Sequence, residues 1–169
     1  MKSKPTLQDA IELATKHHKG QIDKGGKPYI KHPIRVMKKL TLTDEKIVAV
    51  LHDIVEDTSV TLEYLKELGY NSCIINSIDC LTKRDGENHE NYINRVMSDT
   101  VASMVKLSDL EDNMDMSRLK EITEKDKKRL KKYKITHSKI TDHLSSEKEF
   151  KHCGDVVMYC TCYESDINK

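Results

Sequence analysis

Apolar residues recur at helical spacing along most of the chain. Between residues 6 and 19, Leu7, Ile11 and Ala14 share one face, and Thr6 is a typical N-cap residue. The glycine-rich residues 20–28 predict a loop, and no alternating run bounded by turns indicates a strand. One further helix is predicted to begin at a cap on Thr43 and to continue through an apolar stripe that ends at Val55. Others are predicted over 33–40, 61–68, 72–81, 89–98, 100–113 and 120–134. The pattern therefore predicts an all-α fold, a compact bundle of several helices.

The helical pattern weakens after about Leu144. The chain has 169 residues, a length that favours one domain of ordinary size with a short extension. We therefore divide it into a helical domain over 1–144 and a C-terminal tail over 145–169. The role of this tail, which contains Cys153, Cys160 and Cys162, does not follow from its sequence.

Charge and hydropathy exclude several classes of protein. Charged residues make up 34% of the chain but the net charge is only +1, which gives no reason to propose nucleic-acid binding. The basic residues of 120–134 are interpreted as a solvated helix face. No apolar run approaches the roughly 20 residues of a membrane span. The N-terminus lacks the apolar stretch of a secretory signal, so we expect a cytoplasmic protein without a membrane partner.

The segment LHDIVEDT, residues 51–58, carries the most informative chemistry. On a continuous helix His52 lies above Glu56, and Asp53 lies near both Glu56 and Asp57. Three carboxylates at this spacing repel one another, and partial burial adds a cost of desolvation. A divalent cation would offset both effects, so the segment favours a metal site.

Two other segments offer further ligands. His32 directly precedes Pro33 at a predicted loop-to-helix junction, and Asp109 lies four residues before Asn113 on a later helix. Together with His52 and Asp53, they supply two nitrogens and two carboxylate oxygens, a set that suits Mn²⁺, Fe²⁺, Co²⁺ or Zn²⁺. Spacing alone does not bring these segments together. A surface-exposed His-Asp pair with unrelated polar residues is the alternative.

Five motifs in order resemble the HD superfamily of metal-dependent phosphohydrolases. Within it, the chain is most similar to the hydrolase domain of the RelA/SpoT alarmone (ppGpp) enzymes and their small stand-alone relatives. The resemblance covers most of residues 5–140. The motifs are HHKGQ (17–21), KPYIKHP (27–33), LHDIVEDT (51–58), LTKRDGENHENYI (81–93) and VKLSDLEDNM (105–114).

The resemblance implies an all-α HD-domain bundle and a role for each matching residue. His32, His52, Asp53 and Asp109 match the family's metal ligands, which usually hold Mn²⁺. Glu56 and Asp57 match the acidic pair that positions and activates the attacking water, and Asn113 matches an asparagine beside the bound nucleotide. The implied activity is metal-dependent hydrolysis of a phosphate or pyrophosphate ester, with ppGpp 3′-pyrophosphohydrolysis as the model reaction and a small nucleotide as the substrate.

The chain departs from the family pattern where the nucleotide would bind. The family has an Arg-Lys pair after Gly-Gln, and the Arg stacks on the base; here Asp23 takes the Arg position and Lys24 is kept as a candidate substrate-binding residue. An acid cannot supply cation–π stacking and would repel nearby phosphates. Between Asp109 and Asn113 the family usually has Arg and His, whereas this chain is more acidic. Lys27 and Arg35 are candidate phosphate ligands or ordinary surface cations.

Three functions remain open at this point. The first is a Mn²⁺-dependent nucleotide phosphohydrolase, including a ppGpp hydrolase. The second keeps this chemistry but changes the substrate, for instance to a nucleoside monophosphate or a dinucleotide phosphate. The third is a nucleotide-binding regulatory module without turnover. The family's synthetase is a separate domain of comparable size for which residues beyond 144 leave no room, so no synthetase activity is expected.

Overall fold

The computed structural model describes residues 4–119 and 121–151, with side chains described through 146. Over these residues it contains nine α-helices and one 3₁₀ turn, and the single β-bridge, between Ile22 and Pro28, closes the glycine-rich loop without forming a strand. The all-α prediction is confirmed. The helices are α1 Leu7–His17, α2 Lys31–Lys38, α3 Thr43–Leu51, α4 Ile54–Asp57, α5 Leu62–Leu68, α6 Ser72–Leu81, α7 His89–Met97, α8 Thr100–Met114 and α9 Glu124–Lys151, with the 3₁₀ turn at Met116–Arg118.

Helix α3 lies at the centre of the bundle. Its residues Ile47, Val48, Ala49, Val50 and Leu51 are all buried, so its C-terminal half is apolar on every side. It packs against α1, α2, α6 and α8. Because the helix is surrounded in this way, it ends within the core and delivers the next residues of the chain to the interior.

Several helix ends follow directly from local sequence. Thr6 and Asp9 form a capping box at α1: the Thr6 hydroxyl accepts the N–H of Asp9, and the Asp9 carboxylate accepts the N–H of Thr6 at 2.7 Å. Gly69 ends α5 with a φ of 96°, a left-handed conformation that glycine adopts without strain. Thr43, predicted as a cap, is instead the first residue of α3.

The predicted continuous helix through 51–58 is wrong. Helix α3 ends at Leu51, His52 and Asp53 form a turn, and α4 begins at Ile54. The His52 side chain donates from Nδ1 to the carbonyl of Ala49 at 2.7 Å. In an unbroken helix that carbonyl would accept the N–H of Asp53, so the imidazole competes with the backbone ladder where the chain turns.

Helix α2 starts at Lys31, two residues earlier than predicted from Pro33. Proline is tolerated there because the first turn of a helix has no intrahelical acceptor for its N–H groups. The earlier start places His32 in the first turn of the helix, where it is buried.

Helix α9 runs without a break from Glu124 to Lys151, well beyond the predicted end at 134. Buried Thr136 and Ile140 continue its apolar face, and the helix packs on α7 and α8. The proposed division at 144 falls inside α9 and stays a prediction, and the rest of the predicted tail, from residue 152, lies outside the described residues. Over the described chain, no helix combines the length and apolar character needed to cross a bilayer.

Two isoleucines test where the stability of the bundle resides. Ile78 of α6 is 0% exposed, whereas Ile135 of α9 is 63% exposed. We expect Ile78→Ala to lower the free energy of unfolding by roughly 2–5 kcal/mol, because it removes buried methyl groups and leaves a cavity. Ile135→Ala should change it by less than about 0.5 kcal/mol. Urea denaturation followed by circular dichroism measures both, and equal effects would contradict this placement of the core.

Candidate metal centre

Three parts of the chain converge on one buried cluster. His32 comes from the first turn of α2, His52 and Asp53 from the turn between α3 and α4, and Asp109 from the middle of α8. One ligand atom each of His32, His52 and Asp109 lies within 4.8 Å of the others. The Oδ2 atom of Asp53 lies 2.9 Å from His52 Nε2 and 3.8 Å from His32 Nε2. The fold therefore brings together the four residues that the sequence singled out as ligands.

The two histidines are held with Nε2 directed into the cluster. His52 donates its Nδ1–H to the Ala49 carbonyl, and His32 donates its Nδ1–H to the Asp112 carboxylate, each at 2.7 Å. A carbonyl and a carboxylate accept only, so these bonds fix the proton of each neutral ring on Nδ1. Each Nε2 then presents a lone pair, as metal-binding imidazoles do.

These lone pairs meet carboxylate oxygens. His32 Nε2 lies 3.1 Å from Asp109 Oδ1, and His52 Nε2 is buried without a hydrogen-bond partner among the described residues. A lone pair against a carboxylate is repulsive unless a proton or a metal cation joins them. Burial alone would lower the pKa of His32, but hydrogen bonds to the carboxylates of Asp109 and Asp112 raise it to about 9.

Tyr29 and Lys106 form hydrogen bonds with the carboxylates of Asp53 and Asp109, respectively. The Tyr29 hydroxyl donates to Asp53 Oδ2, and burial together with the Asp53 charge raises the pKa of this phenol. Lys106 Nζ lies 2.9 Å from Asp109 Oδ2. Burial would lower the pKa of Lys106, but the Asp109 carboxylate raises it above its usual value, so the lysine stays charged. One oxygen of Asp109 is thereby tied to Lys106 while the other faces the histidines.

The donor set fits a divalent transition metal. Two imidazole nitrogens and one oxygen of Asp109 lie within 4.8 Å of one another, and an oxygen of Asp53 lies 2.9 Å from His52 Nε2, which has no hydrogen bond in the described structure. Mixed imidazole and carboxylate donors are typical of transition-metal sites. Oxygen-only sites typical of Ca²⁺ do not contain paired imidazoles. The residues present therefore fit a divalent transition metal.

Glu56 and Asp57 lie at the exposed rim of this cluster. Glu56 does not stack on His52 as the helical prediction implied, because the chain turns between them; its Oε1 instead accepts the backbone N–H of Lys83. Partial burial raises the pKa of the Glu56 carboxyl, and partial burial followed by the charge of Asp53 raises that of Asp57. Gln21 donates to the Asp57 carbonyl at 2.8 Å and so fixes the end of α4.

The two residues predicted to bind substrate lie in different places. Asn113 donates from Nδ2 to Asp109 Oδ1, which places it against the cluster. Lys24 is exposed and lines a separate surface hollow of about 480 Å³ with Gly25, Leu119 and Arg129, and no described contact joins it to the four ligands. Their roles toward a substrate stay predictions.

Asp23 does not point freely into solvent. Its side chain is largely buried, and Oδ1 accepts the N–H groups of Gly25 and Lys27, each at 2.9 Å. Its second oxygen lies 4.0 Å from Arg35 and 3.8 Å from Arg118. The expected repulsion of phosphates by Asp23 is therefore reduced, because two guanidinium groups lie beside its charge.

Tyr29, Lys106 and Asp112 were not assigned roles from the sequence. All three lie within or beside motifs that were quoted, and Lys106 lies three residues before Asp109, a spacing that places both on one helix face. That spacing was an available signal for the Lys106–Asp109 pair. The contacts of Tyr29 with Asp53 and of Asp112 with His32 join distant segments, which no local pattern reports.

Comparisons with known proteins show what the chain is similar to. No protein-family model matches the chain. It is 34% identical over 120 residues to a guanosine-3′,5′-bis(diphosphate) 3′-pyrophosphohydrolase of Aquifex aeolicus, and 31% identical over 122 residues to the bifunctional (p)ppGpp synthase/hydrolase SpoT of Escherichia coli. A GTP pyrophosphokinase of Myxococcus xanthus is 32% identical over 126 residues. Each alignment covers 64% of this chain, which spans only 16–17% of these relatives.

A solved structure shares the fold. The protein, described as a metazoan ortholog of SpoT that hydrolyses ppGpp, superposes with a TM-score of 0.65 at 22% identity, covering 84% of this chain and 88% of that one. The resemblance to RelA/SpoT-type proteins inferred from the motifs is confirmed, and so is the helical bundle. Because the chain spans only a small part of the larger relatives, its activity, substrate and partners are matters for proposal.

The metal-free protein should lose stability as pH rises from about 6.5 to 9. The pKa of His32 is raised from its ordinary value of 6.5 to about 9 in the folded state. The protonated imidazole therefore stabilises the fold fully below pH 6.5, and this stabilisation is lost as the pH rises through 9. The loss should reach up to roughly 3 kcal/mol. Urea denaturation in a chelator measures it at both pH values.

The matched comparison is His32→Gln, which removes this titration. The variant should show a smaller fall in the free energy of unfolding over the same pH window. An equal slope in the variant and the wild type would contradict the assignment to His32.

Proposed function

We propose that this protein is a divalent-metal-dependent phosphohydrolase of nucleotides, with Mn²⁺ as the metal and a 3′-pyrophosphorylated nucleotide such as ppGpp as the first candidate substrate. The convergence of His32, His52, Asp53 and Asp109 on one volume carries the proposal. The similarity to relatives named as ppGpp pyrophosphohydrolases supports the substrate class.

The four ligands would hold the cation, and Glu56 and Asp57 would act on water at the open rim. When bound, a divalent cation supplies Lewis-acid polarisation of a phosphate oxygen and lowers the pKa of adjacent water. Glu56 has one oxygen on the Lys83 N–H, which leaves the other to accept a proton. Its raised pKa brings it closer to neutral pH, as a general base requires.

The reaction adds one water across a phosphorus–oxygen bond. For a 3′-pyrophosphate, the water oxygen would bond to phosphorus, one water proton would pass to Glu56, and the bond between phosphorus and the ribose 3′-oxygen would break. The 3′-oxygen would take a proton from solvent, and Glu56 would release its proton to solvent. The products are the nucleotide with a 3′-hydroxyl and pyrophosphate. Asn113, hydrogen-bonded to Asp109, would lie beside the nucleotide, and Lys24 would bind its more distant phosphates from the surface hollow.

A different nucleotide substrate is the second candidate. Asp23 stands where the alarmone hydrolases have a base-stacking arginine, and its side chain is turned toward Arg35 and Arg118 rather than toward a ligand. The chemistry would be unchanged while recognition of the base would differ. Arg129, whose guanidinium lies 5.9 Å from the Tyr133 ring centre and which lines the hollow beside Lys24, offers another cation for stacking.

The test is release of pyrophosphate and phosphate from a nucleotide panel that includes ppGpp, in Mn²⁺. Asp53→Asn removes a ligand charge, and Asp142→Asn makes the same change on the exposed face of α9. We expect the first variant to lose activity and the second to keep it. Pyrophosphate release from ppGpp supports the first candidate, and release from another nucleotide supports the second. No turnover of any nucleotide, with Mn²⁺ bound, would contradict hydrolysis and favour a regulatory binding module.

Glu56→Gln separates the proposed base from the metal site. It should lower kcat roughly 10²–10⁴-fold, because the amide accepts no proton, while the Kd for Mn²⁺ stays close to that of the wild type. Glu63→Gln, an exposed glutamate on α5, is the matched control and should retain full activity. A Glu56 variant that retains wild-type kcat would exclude this residue as the base.

A further inference from the structure

A second cluster of charges lies directly behind the metal centre. It contains two carboxylates, Asp23 and Asp112, and two guanidinium groups, Arg35 and Arg118; we call these four residues the arginine–aspartate clamp. Asp112 is on α8 and Arg35 on α2, while Asp23 comes from the loop before α2 and Arg118 from the 3₁₀ turn after α8. Two stretches of the chain, residues 23–35 and 112–118, thus meet on the side of His32 that faces away from the ligand cluster.

Asp112 is the member that touches a metal ligand. Its Oδ2 accepts the Nδ1–H of His32 at 2.7 Å, and the two side chains are only 5% and 7% exposed. A buried aspartate in this position directs the opposite nitrogen, Nε2, toward Asp109 and Asp53. Partners of this kind fix both the tautomer and the ring orientation of metal-binding histidines.

The arginines keep Asp112 charged and immobile. Arg35 donates from Nε to Oδ1 at 2.7 Å and from Nη2 to Oδ2 at 3.0 Å, a two-pronged contact that fixes the plane of the carboxylate. Arg118 Nη2 lies 3.2 Å from Oδ2 and also donates to the Asp112 carbonyl. Burial would raise the pKa of Asp112, but the hydrogen bonds from His32 and Arg35 hold it well below its usual range.

Asp23 connects the same arginines to the glycine-rich loop. One oxygen lies near both guanidinium groups, and the other accepts the N–H groups of Gly25 and Lys27. The loop also packs tightly against the turn that carries Arg118, since a Cβ at Gly25 would lie 2.9 Å from the Arg118 carbonyl oxygen. The loop that bears Lys24 is therefore held by the residues that hold Asp112.

We propose that Asp112 is a positioning residue for the metal ligand His32, and that Arg35, Arg118 and Asp23 couple the glycine-rich loop to the metal centre. The inference rests on the metal site of the proposed function. Asp23, at the position of the family's base-stacking arginine, and Asp112, one of two acidic residues between Asp109 and Asn113, thus belong to one cluster. The clamp is neutral overall, so its burial leaves no uncompensated charge beside the ligands.

The experiment is Mn²⁺ titration of the full chain by calorimetry. Asp112→Asn keeps the shape of the side chain but places an amide N–H₂ against donors, so it should raise the Kd for Mn²⁺ roughly 10–100-fold. Glu111→Gln removes the same charge from the neighbouring residue of α8, which contacts Lys39 at the surface, and should leave the Kd unchanged. Asp23→Asn should raise the Kd by less than Asp112→Asn, because Asp23 reaches His32 only through the arginines.

A spectroscopic readout distinguishes positioning from loss of fold. The visible absorption of bound Co²⁺ reports ligand geometry, and it should change in Asp112→Asn but not in Glu111→Gln, while far-ultraviolet circular dichroism of the metal-free proteins stays the same. If Asp112→Asn does not fold, Arg35→Gln replaces it; that variant leaves the Asp112–His32 bond but removes the two-pronged contact, and it should raise the Kd by a smaller factor.

The outcomes separate this inference from the proposed function. A wild-type protein that binds no Mn²⁺ or Co²⁺ overturns both. If the wild-type protein binds metal, and Asp112→Asn (or Arg35→Gln in its place) has the same Kd and the same Co²⁺ spectrum as the wild type, the positioning role alone is overturned. An Asp23→Asn protein with wild-type Kd overturns the coupling to the loop.

Discussion

The direction of two imidazole lone pairs is the constraint on which the rest of this structure depends. His32 and His52 both commit their Nδ1–H groups to acceptors outside the cluster, so both Nε2 atoms face carboxylate oxygens. This arrangement is unfavourable in a buried site until a cation joins the two sides. Burial lowers the pKa of both histidines, but the neighbouring carboxylates favour a proton on each ring and raise both pKa values. A metal cation would replace these protons, so metal affinity should depend on pH.

The break between α3 and α4 places neighbouring residues of one short segment in two environments, the buried core and the exposed rim of the cluster. A continuous helix would place His52, Asp53 and Glu56 on neighbouring positions of one surface. The turn at His52 and Asp53 instead buries the imidazole in the core and leaves Glu56 and Asp57 at the rim, where they are exposed to solvent. The ligands and the proposed base are thereby separated although they are close in sequence.

Support for the ligands comes from charges that alternate outward from the centre. Lys106 pairs with Asp109 Oδ2, and the Tyr29 hydroxyl donates to Asp53. Asp112 accepts the Nδ1–H of His32 and is itself paired with Arg35 and Arg118. Such an arrangement reduces the cost of burying several carboxylates in one helical domain. Asp23 connects the same arginines to the loop over 20–28, whose Lys24 lines the neighbouring surface hollow.

The sequence was sufficient to predict the helical class, most helix ends and the candidate ligands, because these depend on local spacing, on capping residues such as Thr6, and on motifs taken in order. It did not determine the break at His52, the contact of Tyr29 with Asp53 or the burial of Asp23. The His52 ring donates to the carbonyl of Ala49, only three residues earlier, but the apolar spacing of this segment does not distinguish that bond from the backbone bond of a continuous helix. The contacts of Tyr29 with Asp53 and of Asp23 with Arg118 join residues far apart in the chain, which the packing of the helices brings together. Tertiary packing decided these features because the free energy of a buried polar group depends on which partners the fold places around it.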